Sequence, residues 1–201
     1  MIFDTHLLIS QIVYNSILKQ MNFKLNRLAF AYGNIKPDFI NKDINRFHTQ
    51  YQSLFNVNKY SEELMKRNVS IEEFSTSLGV ICHFACDYFC LYHRDGNENK
   101  GIFEHLIYEL ILHVKLVWLL LTGKLMLNNY GMSENRVEDI ALNLEGKYKS
   151  ESKSLTKDIT FALFAASQIS TLIVGSSQIY FEQVESSISD EYQLRKVNGR
   201  I

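Results

Sequence analysis

Proline is almost missing from this chain: Pro37 is the only one in 201 residues, and glycine occurs nine times. So few breakers exclude collagen-like and low-complexity chains and favour long, uninterrupted helices. No stretch alternates apolar and polar residues convincingly with period 2, which argues against a sheet class. Cysteine is scarce and odd in number, with Cys82, Cys86 and Cys90 at four-residue steps. Neighbours on one helix rarely form disulfides, so a reducing cytoplasm is the expected location. The amino terminus, M-I-F-D-T-H, carries no basic region, and Asp4 interrupts its apolar run, so no signal peptide is read there. An excess of charge is lacking too. A net charge of −1 gives no basic field, so neither a stable nucleic-acid complex nor attraction to an anionic membrane is indicated.

What is present is the composition of a globular domain, 46% hydrophobic and 21% charged. The expected architecture is all-α: one multi-helix bundle over residues 1–188, then a polar tail over 189–201. Helical periodicity runs through 5–21, with Thr5 as N-cap. Turn residues Gly33, Asn34 and Pro37 predict a loop over 32–38. A helix over 40–57 would put Tyr51 and Leu54 on its apolar side with His48 beside them. Ser70 and Glu73 form a capping-box pattern at the start of a helix over 71–92. Residues 102–127 are apolar nearly all round and predict a central core helix, with Trp118 inside it. A short helix is expected around 137–144 and a long one over 155–187. Glu109, His113, Lys115 and Lys124 interrupt the first long apolar run. Ser167, Gln168, Ser170 and Thr171 dilute the second, so no transmembrane segment is expected.

The chemistry lies in H-F-A-C-D, His93 and H-L-I-Y-E. His83 precedes Asp87 by four residues, and His105 precedes Glu109 by four. Helical positions i and i+4 lie about 40° apart around the axis, so each pair points one way and can close on one divalent ion. Taken singly, such a pair is an ordinary polar contact. With 22 acidic residues in 201, chance places a carboxylate there about one time in nine. Both pairs, however, sit on strongly apolar helices, where unpaired ionisable groups are costly to bury. A histidine and carboxylate set without thiolate suits catalytic zinc. The Glu-x-x-His pattern of di-iron bundles and the His-Glu-x-x-His pattern of zinc proteases are both absent.

In order, His6, Asp38, His48, His83-x-x-x-Asp87, His93 and His105-x-x-x-Glu109 resemble the bacterial zinc-dependent phospholipases C. More distantly they resemble the single-strand-specific fungal nucleases that share that fold. The resemblance spans residues 6–109 and leaves the C-terminal half as scaffold. It implies one zinc ion at His48, His83 and Asp87 and a second at His93, His105 and Glu109. A third would take His6 and the other oxygen of a bridging Asp87. In the family that third ion is also held by the amino group of a processed N-terminal tryptophan. Here Met1 or Asp4 is left to take its place, or the third site is weak or empty, so two zinc ions are expected and a third is open. The resemblance sets Asp38 against the first ion as a metal contact and makes it the general base for in-line attack of metal-bound water on a phosphodiester. It also sets Phe39 at an aromatic position lining a choline pocket. The expected partner is a phosphoester substrate, phospholipid among them. A cytoplasmic nuclease or phosphodiesterase of the same fold and a non-catalytic metal-binding helical protein stay open as alternatives. His113 is read as a core residue or as one bonded to a ligand, and Cys86 and Cys90 as small buried thiols. Oligomeric state is not readable.

Overall fold

The computed structural model describes residues 1–39, 49–94, 101–125 and 134–186, which are helical with no strand among them. His48 and the tail from 189 lie outside the described residues. The helices are α1 (Phe3–Met21), α2 (Arg27–Phe39), α3 (Gln50–Lys66), α4 (Ile71–Asp87), α5 (Ile102–Leu121), α6 (Val137–Ser150) and α7 (Leu155–Gly175), with a 3-10 turn at Leu91–His93 between α4 and α5. A further helical stretch covers residues 178–186.

The centre of the bundle is α4 packed on α2 and α7. From Phe74 to Asp87 nearly every α4 side chain is buried, polar ones included. The helix opens as its sequence predicts: the Ser70 hydroxyl accepts from the Glu73 N–H at 3.1 Å. The Glu73 carboxylate does not reach back to complete the box but pairs with Arg67, also at 3.1 Å. Against 71–92, regular helix stops at Asp87. The Phe89 and Cys90 amides bond three residues back, to Cys86 and Asp87, and this tightening turns the chain so that His93 doubles back.

The loop expected over 32–38 is helix. Gly33 and Gly79 face each other where α2 crosses α4; a Cβ at Gly33 would meet the Thr76 carbonyl oxygen at 2.1 Å, and one at Gly79 the Phe30 carbonyl oxygen at 2.4 Å. The Asn34 amide donates to the Phe30 carbonyl at 2.9 Å, inside its own helix. Pro37 is accommodated inside α2, near the end of its described range. Packing across the glycines outweighs local turn propensity.

Further expectations are corrected. Thr5 is not a cap: α1 starts at Phe3, and Thr5 is buried inside it. Tyr51 is 87% exposed although Leu54 is buried, and α3 runs on to Lys66. Most consequential, α5 is a peripheral helix; the central apolar helix is α7. Only Glu109, Leu112, Leu116 and Leu119 of α5 are buried. Its outer face exposes Phe103, Leu106, Ile107, Leu110, Ile111, Val114, Trp118 and Leu121. Trp118 is not core, and the ammonium groups of Lys115 and Lys124 lie 4.3 and 5.1 Å from its ring centre. The helix over 155–187 is interrupted after Gly175, and α6 extends to Ser150. Among the described residues α7 alone has the length and composition to cross a membrane, and most of it is buried inside the bundle.

Candidate metal centre

Four helix ends meet at one edge of the bundle. The first two turns of α1 and α5 bring His6, His105 and Glu109, the last two turns of α2 and α4 bring Asp38, His83 and Asp87, and the 3-10 turn brings His93.

Asp87 is the hub, fully buried. Its Oδ1 lies 3.3 Å from His6 Nε2 and 2.7 Å from the Met1 amino nitrogen. Its Oδ2 lies 3.2 Å from His83 Nε2 and 3.9 Å from His93 Nδ1. One carboxylate thus divides its oxygens between two sets of nitrogen donors. Burial opposes its charge, but His93, the Met1 amine, His83 and His6 outweigh that and hold its pKa well below the carboxylate range.

His83 lies within 2.8 Å of the Asn34 carbonyl through Nδ1, so Nδ1 carries the proton and donates. That leaves Nε2 facing two carboxylates, Asp87 and, at 3.7 Å, Asp38 Oδ1. A lone pair aimed at two carboxylates is repulsive, so Nε2 there needs either a second proton or a metal cation between it and them. His6 makes the same case. It stacks on His83 with ring centres 4.1 Å apart, is fully buried, and has neither ring nitrogen in a hydrogen bond. Burial, helped by His83, lowers its pKa to about 3, so it stays a neutral donor. Orphaned imidazole nitrogens beside a buried carboxylate fit a divalent transition metal.

The second group is built on Glu109. Its Oε1 lies 2.7 Å from His105 Nε2 and 3.0 Å from His93 Nε2. Burial works against its charge, but the His93 hydrogen bond and the Met1 amine bring its pKa down to about 2. His93 is pushed down, chiefly by burial. Cys90 joins this group, with Sγ 3.9 Å from Glu109 Oε1, and its ligand atom groups with those of His93 and Glu109 within 4.8 Å. Burial raises its thiol to about 12. Cys86 instead faces the Ala162 carbonyl at 4.0 Å, away from the centre.

The amino group of Met1 sits between the two groups, 3.1 Å from both Glu109 Oε1 and His93 Nε2. Burial disfavours its charge, but Asp87, Cys90 and Glu109 together hold its pKa well above the usual 8.0. Asp4 is exposed. Of the two stand-ins for the N-terminal ligand, Met1 is the one at the centre.

Some supports were not visible in the sequence. The Tyr108 hydroxyl donates to Asp158 at 2.6 Å and accepts from the Leu91 N–H at 3.3 Å. Tyr148 also donates to Asp158. This bond network ties α7 to the residue before Glu109 and to the turn that carries His93. Tyr92 stacks on His105 with ring planes 8° apart and centres 5.0 Å apart. His113 reaches Thr5, its Nδ1 3.0 Å from the hydroxyl, and so braces the residue next to His6. At the rim, Asp38 is partly exposed, and Phe39, 69% exposed, meets Phe3 edge-on at 5.9 Å.

In comparisons with known proteins, neither a curated protein nor a solved structure matched. A family model described as zinc dependent phospholipase C matches residues 5–184.

Proposed function

The chain belongs to the zinc-dependent phospholipase C family, and from that premise we propose that it is a zinc-dependent phosphodiester hydrolase. In this reading His83 and Asp87, with His48, hold one zinc ion, and His93, His105 and Glu109 hold another. A third would take His6, the remaining oxygen of Asp87 and, once it gives up its proton, the Met1 amine. The observation that carries the reading is the division of the two Asp87 oxygens between His6 and His83, the arrangement of a bridging carboxylate. Zinc bound there supplies positive charge for the phosphate oxygens and brings the pKa of water towards neutrality.

The chain's own residues do the rest. Asp38, at the mouth and 3.7 Å from His83, accepts the proton of the attacking water. The bonds of Tyr108 to Asp158 and to the Leu91 amide hold His93 and Glu109 in register. The Phe3–Phe39 pair offers an apolar and π-rich rim beside the base, suited to the quaternary ammonium of a choline phospholipid. We infer a cytoplasmic setting, supported by three free, buried cysteines. A second reading, a nuclease or small phosphodiesterase, is favoured by one observation. Tyr51 and Phe55 on α3 are 87% and 74% exposed, as base-stacking side chains would be.

Turnover of bis-p-nitrophenyl phosphate with and without chelator tests the chemistry. Activity lost to chelator and restored by zinc supports the proposal. Bound zinc without turnover of any phosphoester would leave a non-catalytic metal protein. Phosphatidylcholine, single-stranded DNA and RNA, and phosphomonoesters then separate the substrate readings.

A further inference from the structure

Among the described residues, the outer face of α5 is a broad exposed apolar surface that the metal chemistry does not use. Its eight apolar residues are between 41% and 83% exposed. Together they present roughly 900 Å² of apolar surface, against the 300–600 Å² of the largest patch on a typical monomer. About 800 Å² is what each partner contributes to a stable interface. At 100° per residue they fill one arc, about 40° to 180° on a wheel starting at Ile102, with no charged residue inside it.

Two charged residues border the arc on the same flank. Glu104 and Lys115 are eleven residues apart, which places them about 20° apart around the helix and about 16 Å apart along it. Lys115 is held on that flank over Trp118, at 4.3 Å. In an antiparallel pair of identical helices related by a two-fold axis, each flank meets the same flank of the partner. With the axis level with Glu109 and Leu110, Glu104 of one copy lies opposite Lys115 of the other, twice. We propose that this face joins two copies of the chain as an antiparallel α5 pair, with Leu110 near the two-fold axis and the Glu104–Lys115 pairs setting the register. A bilayer is the poorer occupant. Interfacial helices are rich in basic residues, whereas among the described residues only the Lys115 and Lys124 ammonium groups, both over Trp118, reach this arc. It also points about 150° away from the His105–Glu109 edge, so lipid lying on it would be turned from the centre.

The test is the mass of the full chain in solution by sedimentation velocity from about 1 to 100 μM, a range in which specific dimers dissociate. The expected species is twice 23.4 kDa. Leu110→Glu, a change at a half-exposed position, should give a monomer with unchanged helical circular dichroism. Glu104→Lys and Lys115→Glu should each weaken the dimer at least about tenfold, and the double swap should restore it, as charge pairing across a two-fold requires. A monomer at every concentration overturns the proposal, and so does a wild-type monomer that sediments with phosphatidylcholine vesicles. A dimer indifferent to Leu110→Glu, or a swap that fails to restore it, overturns the antiparallel α5 arrangement.

Discussion

Asp87 carries more of the centre than any other side chain, because both of its oxygens face nitrogen donors while the residue itself is fully buried. Asp87→Ala should therefore release most bound zinc, measured by elemental analysis, and leave His6 and His83 without their shared partner. Asp38 is different: it stands partly exposed at the rim, 3.7 Å from His83. Asp38→Asn should keep the zinc but lower turnover about 10²- to 10⁴-fold, the range of general-base contributions; zinc loss equal to that of Asp87→Ala would contradict its role as base. Tyr108 touches neither an expected ligand atom nor the rim, yet its hydroxyl ties the segments carrying His93 and Glu109 to Asp158. Tyr108→Phe should weaken zinc affinity about 10–100-fold, as loss of a bond behind a ligand does elsewhere. Unchanged affinity in a competition with a chromophoric chelator would remove that role. The His83–Asp87 and His105–Glu109 pairs could be singled out in the sequence because helical i,i+4 spacing is local, whereas His6 and Asp38 entered only with the family resemblance. Tyr108, Asp158 and the Phe3 rim were not, since nothing local marks a contact between residues fifty apart.

At the scale of elements, the α2–α4 crossing decides where the site forms. Gly33 and Gly79 let the helix backbones touch, and that approach sets the Asn34 carbonyl against His83 and delivers Asp38 to the same ring. Gly33→Ala places a methyl 2.1 Å from a carbonyl oxygen. It should cost about 1–3 kcal/mol in urea unfolding, the usual range for overpacking, and should also loosen zinc; a neutral effect would mean that the crossing is not this close. The Gly-Asn-x-x-Pro stretch reads as a turn in isolation because its residues favour turns, and only the partner helix makes it helical. The reverse error concerns α5. An apolar helix reads as core, but hydrophobicity says that a face is covered, not that the same chain covers it. The outer face of α5 is open to solvent in the single chain.

For the whole molecule, the buried ionisable groups tie stability to pH when zinc is chelated. His6 is lowered from 6.5 to about 3, so its contribution is complete above 6.5 and is lost as pH falls towards 3. Glu109, lowered from 4.5 to about 2, contributes above 4.5 and loses that in turn below it. The Met1 amine is raised above 8.0, so its contribution is present below that pH and fades on the alkaline side. Chelated protein should be most stable between 6.5 and 8.0 and should lose about 1.4 kcal/mol per pH unit for each group titrating on the acid side. Melting temperatures from pH 7 to 4 check this, and a flat profile would contradict it. The all-α class was legible from the lack of prolines and of period-2 alternation. The convergence of four helix ends on one edge was not, because it depends on how the helices cross.

The central claim is that these helix ends are assembled around zinc. Elemental analysis of the purified full-length chain, alongside Asp87→Ala prepared the same way, tests it most directly. The account predicts about two to three equivalents of zinc per chain, the number its donor groups can hold, and a marked loss in the variant. Less than about one equivalent of zinc or any other transition metal, or full phosphodiester turnover by chelated protein, would contradict it.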